Sequence, residues 1–397
     1  MKVVGIVAEY NPFHRGHAWQ IGELRRRLGG DTAIVVAMSG NFVQRGDLAV
    51  AAKHARAEMA LRGGVDLVLE IPTPWATATA ERFAQGGVAL LTASGVVTHL
   101  AFGCECGDLD SLREAAEVVE RQAYPALLRE FLSTGMTFAA ARQAAAEKLL
   151  GHPCPALQHP NNNLAVEYLR ALSVCGEGVE PVALPRVGAD HDSAVLGDIS
   201  SASAIRRELM AGRSVDELLP PSSAEILARE RLAGRGPVFL AEMDRVILGQ
   251  LRRMEEEDFR ACDGGGEGLY HRFYGAVRAS SSCEELLQRA KTKRYPMARL
   301  RRMLLHSWLG VYQPGREEIP PYIRVLGANG CGRALLRRMR EKAALPVITQ
   351  PAEIRGLSGQ AQRLFDAESR CTDQYVLAWS RTGEPDLEFK TKPVILA

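Results

Sequence analysis

Residues 7–20 read Val7-Ala8-Glu9-Tyr10-Asn11-Pro12-Phe13-His14-Arg15-Gly16-His17-Ala18-Trp19-Gln20. A β-branched apolar run, Val3–Val7, leads into this stretch, and helix-period residues from about His17 to Leu28 follow it. Strand, Asn-Pro-Phe turn and helix start therefore come in that order. Two histidines three apart at a helix start face the same side. The first helical turn leaves backbone N–H groups free and carries partial positive charge, which makes an anion site. Gly16 lets a ligand approach the backbone where a Cβ would collide. Imidazole N–H groups at His14 and His17 can then hold phosphate oxygens as charge builds on them. An isolated His-x-x-His is usually a pair of surface residues; this context points to chemistry.

The same alternation continues outward. Ala33–Met38 predicts a second strand, Ala51–Arg62 a helix, Leu67–Ile71 a strand, Ala80–Ala93 a helix and His99–Phe102 a fourth strand. Strands and helices in alternation predict an α/β fold with a Rossmann-like parallel sheet covered on both faces. Ligands in such sheets sit at the carboxyl ends of the strands. Residues 108–150 read as helical, 152–163 as a Pro/Asn break, Leu164–Leu172 as a helix and Val179–Leu184 as a strand. Pro220-Pro221-Ser222-Ser223 predicts a boundary between a catalytic domain, 1–219, and a mainly helical domain, 220–397. In the latter, helices are expected at Glu225–Leu232, Phe239–Met254, Gly268–Ala279, Cys283–Ala290 and Arg299–Leu309, with strand signals only near Tyr322–Leu326 and Pro346–Thr349.

At 397 residues the chain is long enough for two cores. A formal charge of +2 excludes any argument from global polycation character, so a nucleic-acid surface has to come from local clustering. No apolar stretch approaches the ~18–20 residues of a membrane span, and the N-terminal apolar run is too short for a secretory signal. The eight cysteines contain no Cys-x-x-Cys, only the close pair Cys104 and Cys106. This reads as reduced thiols in the cytoplasm, with no protein-bound metal.

A second helix start lies at Ile199-Ser200-Ser201-Ala202-Ser203-Ala204-Ile205-Arg206, where serines are cap candidates. The two segments in this order resemble the H-x-G-H and I-S-S-T-x-I-R signatures of the nucleotidyltransferase superfamily, which includes class I aminoacyl-tRNA synthetases. Ser203 falls at the threonine position and Ala202 at one of the serine positions, so one hydroxyl is missing. The stretches VVGIVAEYNPFHRGH, MSGNFVQRGDLAV, GVDLVLEIP, FGCE, HPNNNLAVEYL, PRVGADHD and KTKRYPMARLRRM together resemble the tRNA(Met) cytidine acetate ligase family over most of the chain.

That resemblance implies ATP-dependent activation of acetate as acetyladenylate, then acetylation of N4 of the wobble cytidine in elongator tRNA(Met). It implies ATP contacts from residues 7–20, Gly103, one of Asn161 or Asn162, Arg186, Ser200, Ser201 and Arg206, with His14 and His17 catalytic. Mg²⁺ is expected to arrive with ATP. Gln44 and Arg45 follow the second strand, where a substrate loop belongs, and are candidates for the acyl group or the tRNA end. Lys53 and Arg56 on the next helix are either further candidates of that kind or a solvated face.

Residues 286–305 hold seven Lys/Arg and no acid; residues 323–342 hold six against Glu341 alone. Basic stretches are usually solvated helix faces, but two downstream of a nucleotide-activating domain favour RNA phosphate. Lys291, Lys293 and Arg294 are the expected phosphate contacts, and Tyr295 a stacking platform for a base. The alternative is an adenylyltransferase acting on a small phosphorylated metabolite. It explains both nucleotide motifs but gives the basic stretches no task.

Overall fold

The computed structural model describes residues 1–185, 200–262, 268–315 and 317–397. Within them the apolar runs become the strands Val3–Ala8 (β1), Ala33–Ser39 (β2), Phe42–Val43 (β3), Asp47–Leu48 (β4), Leu67–Ile71 (β5), His99–Cys104 (β6), Glu180–Pro185 (β7), Ile323–Ala328 (β8), Val347–Ile348 (β9) and Val394–Ile395 (β10). The main sheet runs β10-β8-β5-β2-β1-β6-β7, with β9 beside β8. β1 pairs in parallel with β2, Val3 opposite Ala33, and with β6, Val4 opposite His99. Every residue of β2 and β5 is buried, as a parallel strand covered on both faces requires. Taken in sequence, the five parallel strands have the order 3-2-1-4-5. The chain switches direction between β1 and β6, where a crevice opens at the strands' carboxyl ends.

One face of the sheet packs Val35, Leu69 and Phe102 against helices Ala80–Ala93, Leu109–Glu120 and Pro160–Cys175. The other packs Val4, Ile34, Val36 and Val68 against helices Arg15–Leu28, Lys53–Arg62 and Pro221–Leu232. A third apolar cluster joins helices Asp244–Leu251, Leu269–Ala279, Cys283–Ala290 and Met297–Leu309. Phe42 and Leu48 of the β3–β4 hairpin belong to this third cluster, so the hairpin ties the sheet to the helices.

Two expectations are corrected. The boundary at 220–223 does not separate sheet from helices, because β8 pairs antiparallel with β5 and β10 pairs parallel with β8. Ile323–Ala328 is buried along its whole length and finds its partner on the first domain's open edge. Pro221 opens a helix that returns to the sheet layer, where Arg229 meets Glu58 at 2.9 Å. The helix expected over Phe239–Met254 is a 3₁₀ turn, Leu240–Met243, followed by the shorter helix Asp244–Leu251.

Where β8 meets β5, charges are buried together. Lys53 Nζ lies 2.6 Å from both Glu70 and Glu388, and Arg324 pairs with Glu388 and, at 3.5 Å, with Glu70. Glu368 stands beside them, accepting hydrogen bonds from the amide and hydroxyl of Thr73 at 2.6 and 2.8 Å.

Candidate active site

A cavity of about 330 Å³ lies at the crevice between β1 and β6 and extends to the end of β7. Its floor is the start of helix Arg15–Leu28. The Gly16 amide donates to His14 Nδ1 at 3.1 Å, and the His14 amide donates to His17 Nδ1 at 3.2 Å. The two rings stack with centroids 3.7 Å apart. A neutral imidazole that accepts at Nδ1 carries its proton on Nε2. Both histidines are thereby fixed as Nε2–H donors, the form that stabilises an anion. Tyr10 supports them in a left-handed backbone conformation (φ 46°), its ring 4.6 Å from His17 and 4.9 Å from Phe13. That conformation costs a non-glycine residue about 1–2 kcal/mol, which the buried ring packing offsets.

The second helix start forms the opposite wall. Ser201 caps helix Ala202–Met210, its hydroxyl accepting from the Ala204 amide at 3.2 Å. Arg206 donates to the Asn11 carbonyl at 2.9 Å and to Ser203 Oγ at 3.4 Å, tying this helix to the first loop. Burial lowers the Arg206 pKa, with Asp47 and Glu9 pulling the other way. Two helix N-termini and a guanidinium thus converge on one cavity, an arrangement suited to several phosphates.

Ten residues of the 7–20 segment line the cavity: Val7, Ala8, Glu9, Tyr10, Asn11, His14, Gly16, His17, Trp19 and Gln20. Pro12, Phe13, Arg15 and Ala18 do not; Phe13 is fully buried beneath the loop. Gly103, Asn161, Ser200, Ser201, Gln44 and Arg45 line it too. Asn162 does not. It is 0% exposed, and its side-chain oxygen accepts from the amides of Glu105 and Cys106, holding the turn after β6. Arg186 lies outside the described residues. Phe83, Phe102, Leu164 and Tyr168 also line the cavity and give it an apolar wall for a base. Sequence reading passed over them because Leu164 and Tyr168, four apart on helix Pro160–Cys175, look like ordinary core positions.

Three substrate assignments are corrected. Lys53 is 2% exposed and neutralised by Glu70 and Glu388, so it neither lines the cavity nor forms a solvated face. Arg56 is 0% exposed. Its guanidinium donates to the carbonyls of Glu9, Ser39, Gly40 and Ala51, clamping the loops after β1 and β2 from behind. Tyr295 is 7% exposed and belongs to the helical core, with Arg294 and Arg299 over its ring, so it offers no face to a base. In the second basic stretch Arg324 is spent on the buried charge cluster, while Arg333, Arg337, Arg338, Arg340 and Lys342 are exposed.

Lys291, Lys293 and Arg294 are exposed on the loop before helix Met297–Leu309. That helix bears on the β3–β4 hairpin, with Arg301 3.2 Å from Asp47. Gly46, at φ 76°, has its Cβ position 2.5 Å from the Arg302 amide, so only glycine permits this approach. The expected RNA surface and the cavity are therefore neighbours across one hairpin.

Residues 1–387 match the HIGH Nucleotidyl Transferase family. The tRNA(Met) cytidine acetate ligase of Acetivibrio thermocellus is 36% identical, aligned over 96% of this chain and 95% of that protein. The tRNA(Met) cytidine acetate ligase of Caldanaerobacter subterraneus subsp. tengcongensis is 38% identical over 98% of both. Among solved structures, Thermotoga maritima TmcAL superposes with TM-scores of 0.94 in its apo form and 0.92 with alpha-thio ATP bound, at 35% identity over the whole of both chains. The chain belongs to the tRNA(Met) cytidine acetate ligase family, within the HIGH nucleotidyltransferases.

Proposed function

We propose that this protein attacks the α-phosphorus of ATP with acetate, holds the resulting acetyladenylate, and passes the acetyl group to N4 of the wobble cytidine of elongator tRNA(Met). As a member of its family it is an ATP-dependent tRNA(Met) cytidine acetate ligase. The observation that carries the finer reading is the convergence of two capped helix N-termini on one cavity, with His14 and His17 held as donors.

Acetate has no leaving group better than oxide, so its carboxylate must first become a mixed anhydride. Phosphoryl chemistry of this kind asks the protein mainly for positioning and charge stabilisation. In this reading the histidine Nε2–H groups, Arg206 and the amides around Ser200 and Ser201 supply that stabilisation, and the Phe102–Tyr168 wall takes the adenine. Mg²⁺ would arrive with ATP and would neutralise charge on its phosphates. The exposed Lys291, Lys293 and Arg294 receive the anticodon stem-loop, whose unpaired wobble base enters the cavity at little unstacking cost. Among the described residues no helix is long and apolar enough to cross a membrane; we place the enzyme in the cytoplasm with its tRNA.

Isotope-labelled acetate with ATP and bulk tRNA should label a tRNA cytidine, while acetyl-CoA without ATP should not. Label on a small phosphorylated metabolite, or AMP attached to one, would overturn this reading in favour of an adenylyltransferase.

A further inference from the structure

Glu9 is out of place in an anion site. Among the described residues that line the cavity it is the only carboxylate. It sits in the field of Arg206, Arg56 and the Tyr168 phenol. A negative charge beside a triphosphate weakens its binding, so it needs a task on another part of the reaction. Its position says which part. One carboxylate oxygen accepts from the Gln44 amide at 2.8 Å, which places the group on the hairpin side of the cavity. That hairpin is the one borne on by helix Met297–Leu309 through Asp47 and Arg301. An RNA backbone on the Lys291–Arg294 loop would present its base from that side.

The second half-reaction needs a proton acceptor. The exocyclic amine of cytosine is a weak nucleophile, and its nitrogen must shed a proton once it bonds to the acyl carbon. Resting on the ligase reading above, we propose that Glu9 is the general base of acetyl transfer. N4 attacks the acetyl carbon and forms the N–C bond. The N4–H bond breaks toward the Glu9 carboxylate, and the acyl C–O bond breaks as AMP leaves with the electron pair. Glu9 then returns the proton to water. The Gln44 amide fixes the orientation of the carboxylate.

Glu9→Gln keeps the shape and an oxygen for the Gln44 amide but removes the base. With the wild-type enzyme first shown to make N4-acetylcytidine, the variant is compared in three assays: acetate-dependent ATP–pyrophosphate exchange, tRNA binding, and single-turnover transfer from preformed acetyladenylate. Glu9 also lines the ATP cavity, so the readout is the ratio: transfer should fall by a factor of about 10²–10⁴, far beyond any loss of exchange or tRNA binding. Glu9→Asp, which retains a carboxylate, should recover part of the transfer rate. Transfer near the wild-type rate in Glu9→Gln overturns the proposal. So does an equal loss of exchange, which would put Glu9 in activation, or a loss of tRNA binding large enough to explain the transfer defect. Failure of the wild type to acetylate tRNA would instead sink the reading of function.

Discussion

Both histidine Nδ1 atoms are committed to backbone amides, so replacing either ring removes a cap for the helix start as well as an Nε2–H donor. His14→Ala and His17→Ala should each lower acetate-dependent pyrophosphate exchange by about 10²–10³, the scale of losing one transition-state donor. Near-normal exchange in both would refute the assignment. The neighbouring asparagines separate in the same way by what they touch. Asn161 borders the cavity, so Asn161→Ala should raise KM for ATP with little change in melting temperature. Asn162 is buried under the turn after β6, so Asn162→Ala should cost about 0.5–1.5 kcal/mol of stability per lost hydrogen bond by removing the acceptor of the Glu105 and Cys106 amides, read by thermal or urea denaturation.

At the level of elements, most of the α/β half was legible because buried parallel strands are continuous apolar runs and their helices repeat at 3.6. The strand Leu67–Ile71 and the helix Ala80–Ala93 fall where periodicity puts them. Helix Arg15–Leu28 begins two residues before the expected His17, because its N-cap is a histidine, a residue outside the usual capping set. What one sequence could not display was pairing between distant segments. Tyr322–Leu326 read as strand, but nothing local to it names β5 as its partner. Lys53 and Arg56 read as polar helix residues because their compensating groups lie on other elements. The basic loop before helix Met297–Leu309 was legible, and it is testable as a unit. Neutralising Lys291, Lys293 and Arg294 together should weaken tRNA binding and flatten its salt dependence by up to about three units in the log–log slope. Acetate-dependent pyrophosphate exchange should hold. An unchanged salt slope would reduce the loop to a solvated surface.

Across the whole molecule, the buried cluster of Lys53, Glu70, Arg324, Glu368 and Glu388 fastens the C-terminal segments to the sheet. Burial, reinforced by Glu70, pushes the Glu368 carboxyl from 4.5 to about 8. Between those values the unfolded chain has released a proton that the folded protein keeps, so stability falls as pH rises through that window. Unfolding free energies measured from pH 5 to 8 should decline in the wild type and decline less in Glu368→Gln, by a difference on the order of a few kcal/mol. Parallel pH dependences in the two proteins would show that Glu368 does not carry the linkage. The antiparallel seam between β5 and β8 also has a meaning for synthesis. Residues 67–71 leave the ribosome long before residues 323–328, so a nascent chain that has already paired β1, β2 and β5 presents a bare strand edge, apolar but for Glu70, to its neighbours. Such an edge is a template for aggregation. The enzyme's yield in a cell is then set by how fast the chain between β5 and β8 is translated and by what shields that edge meanwhile.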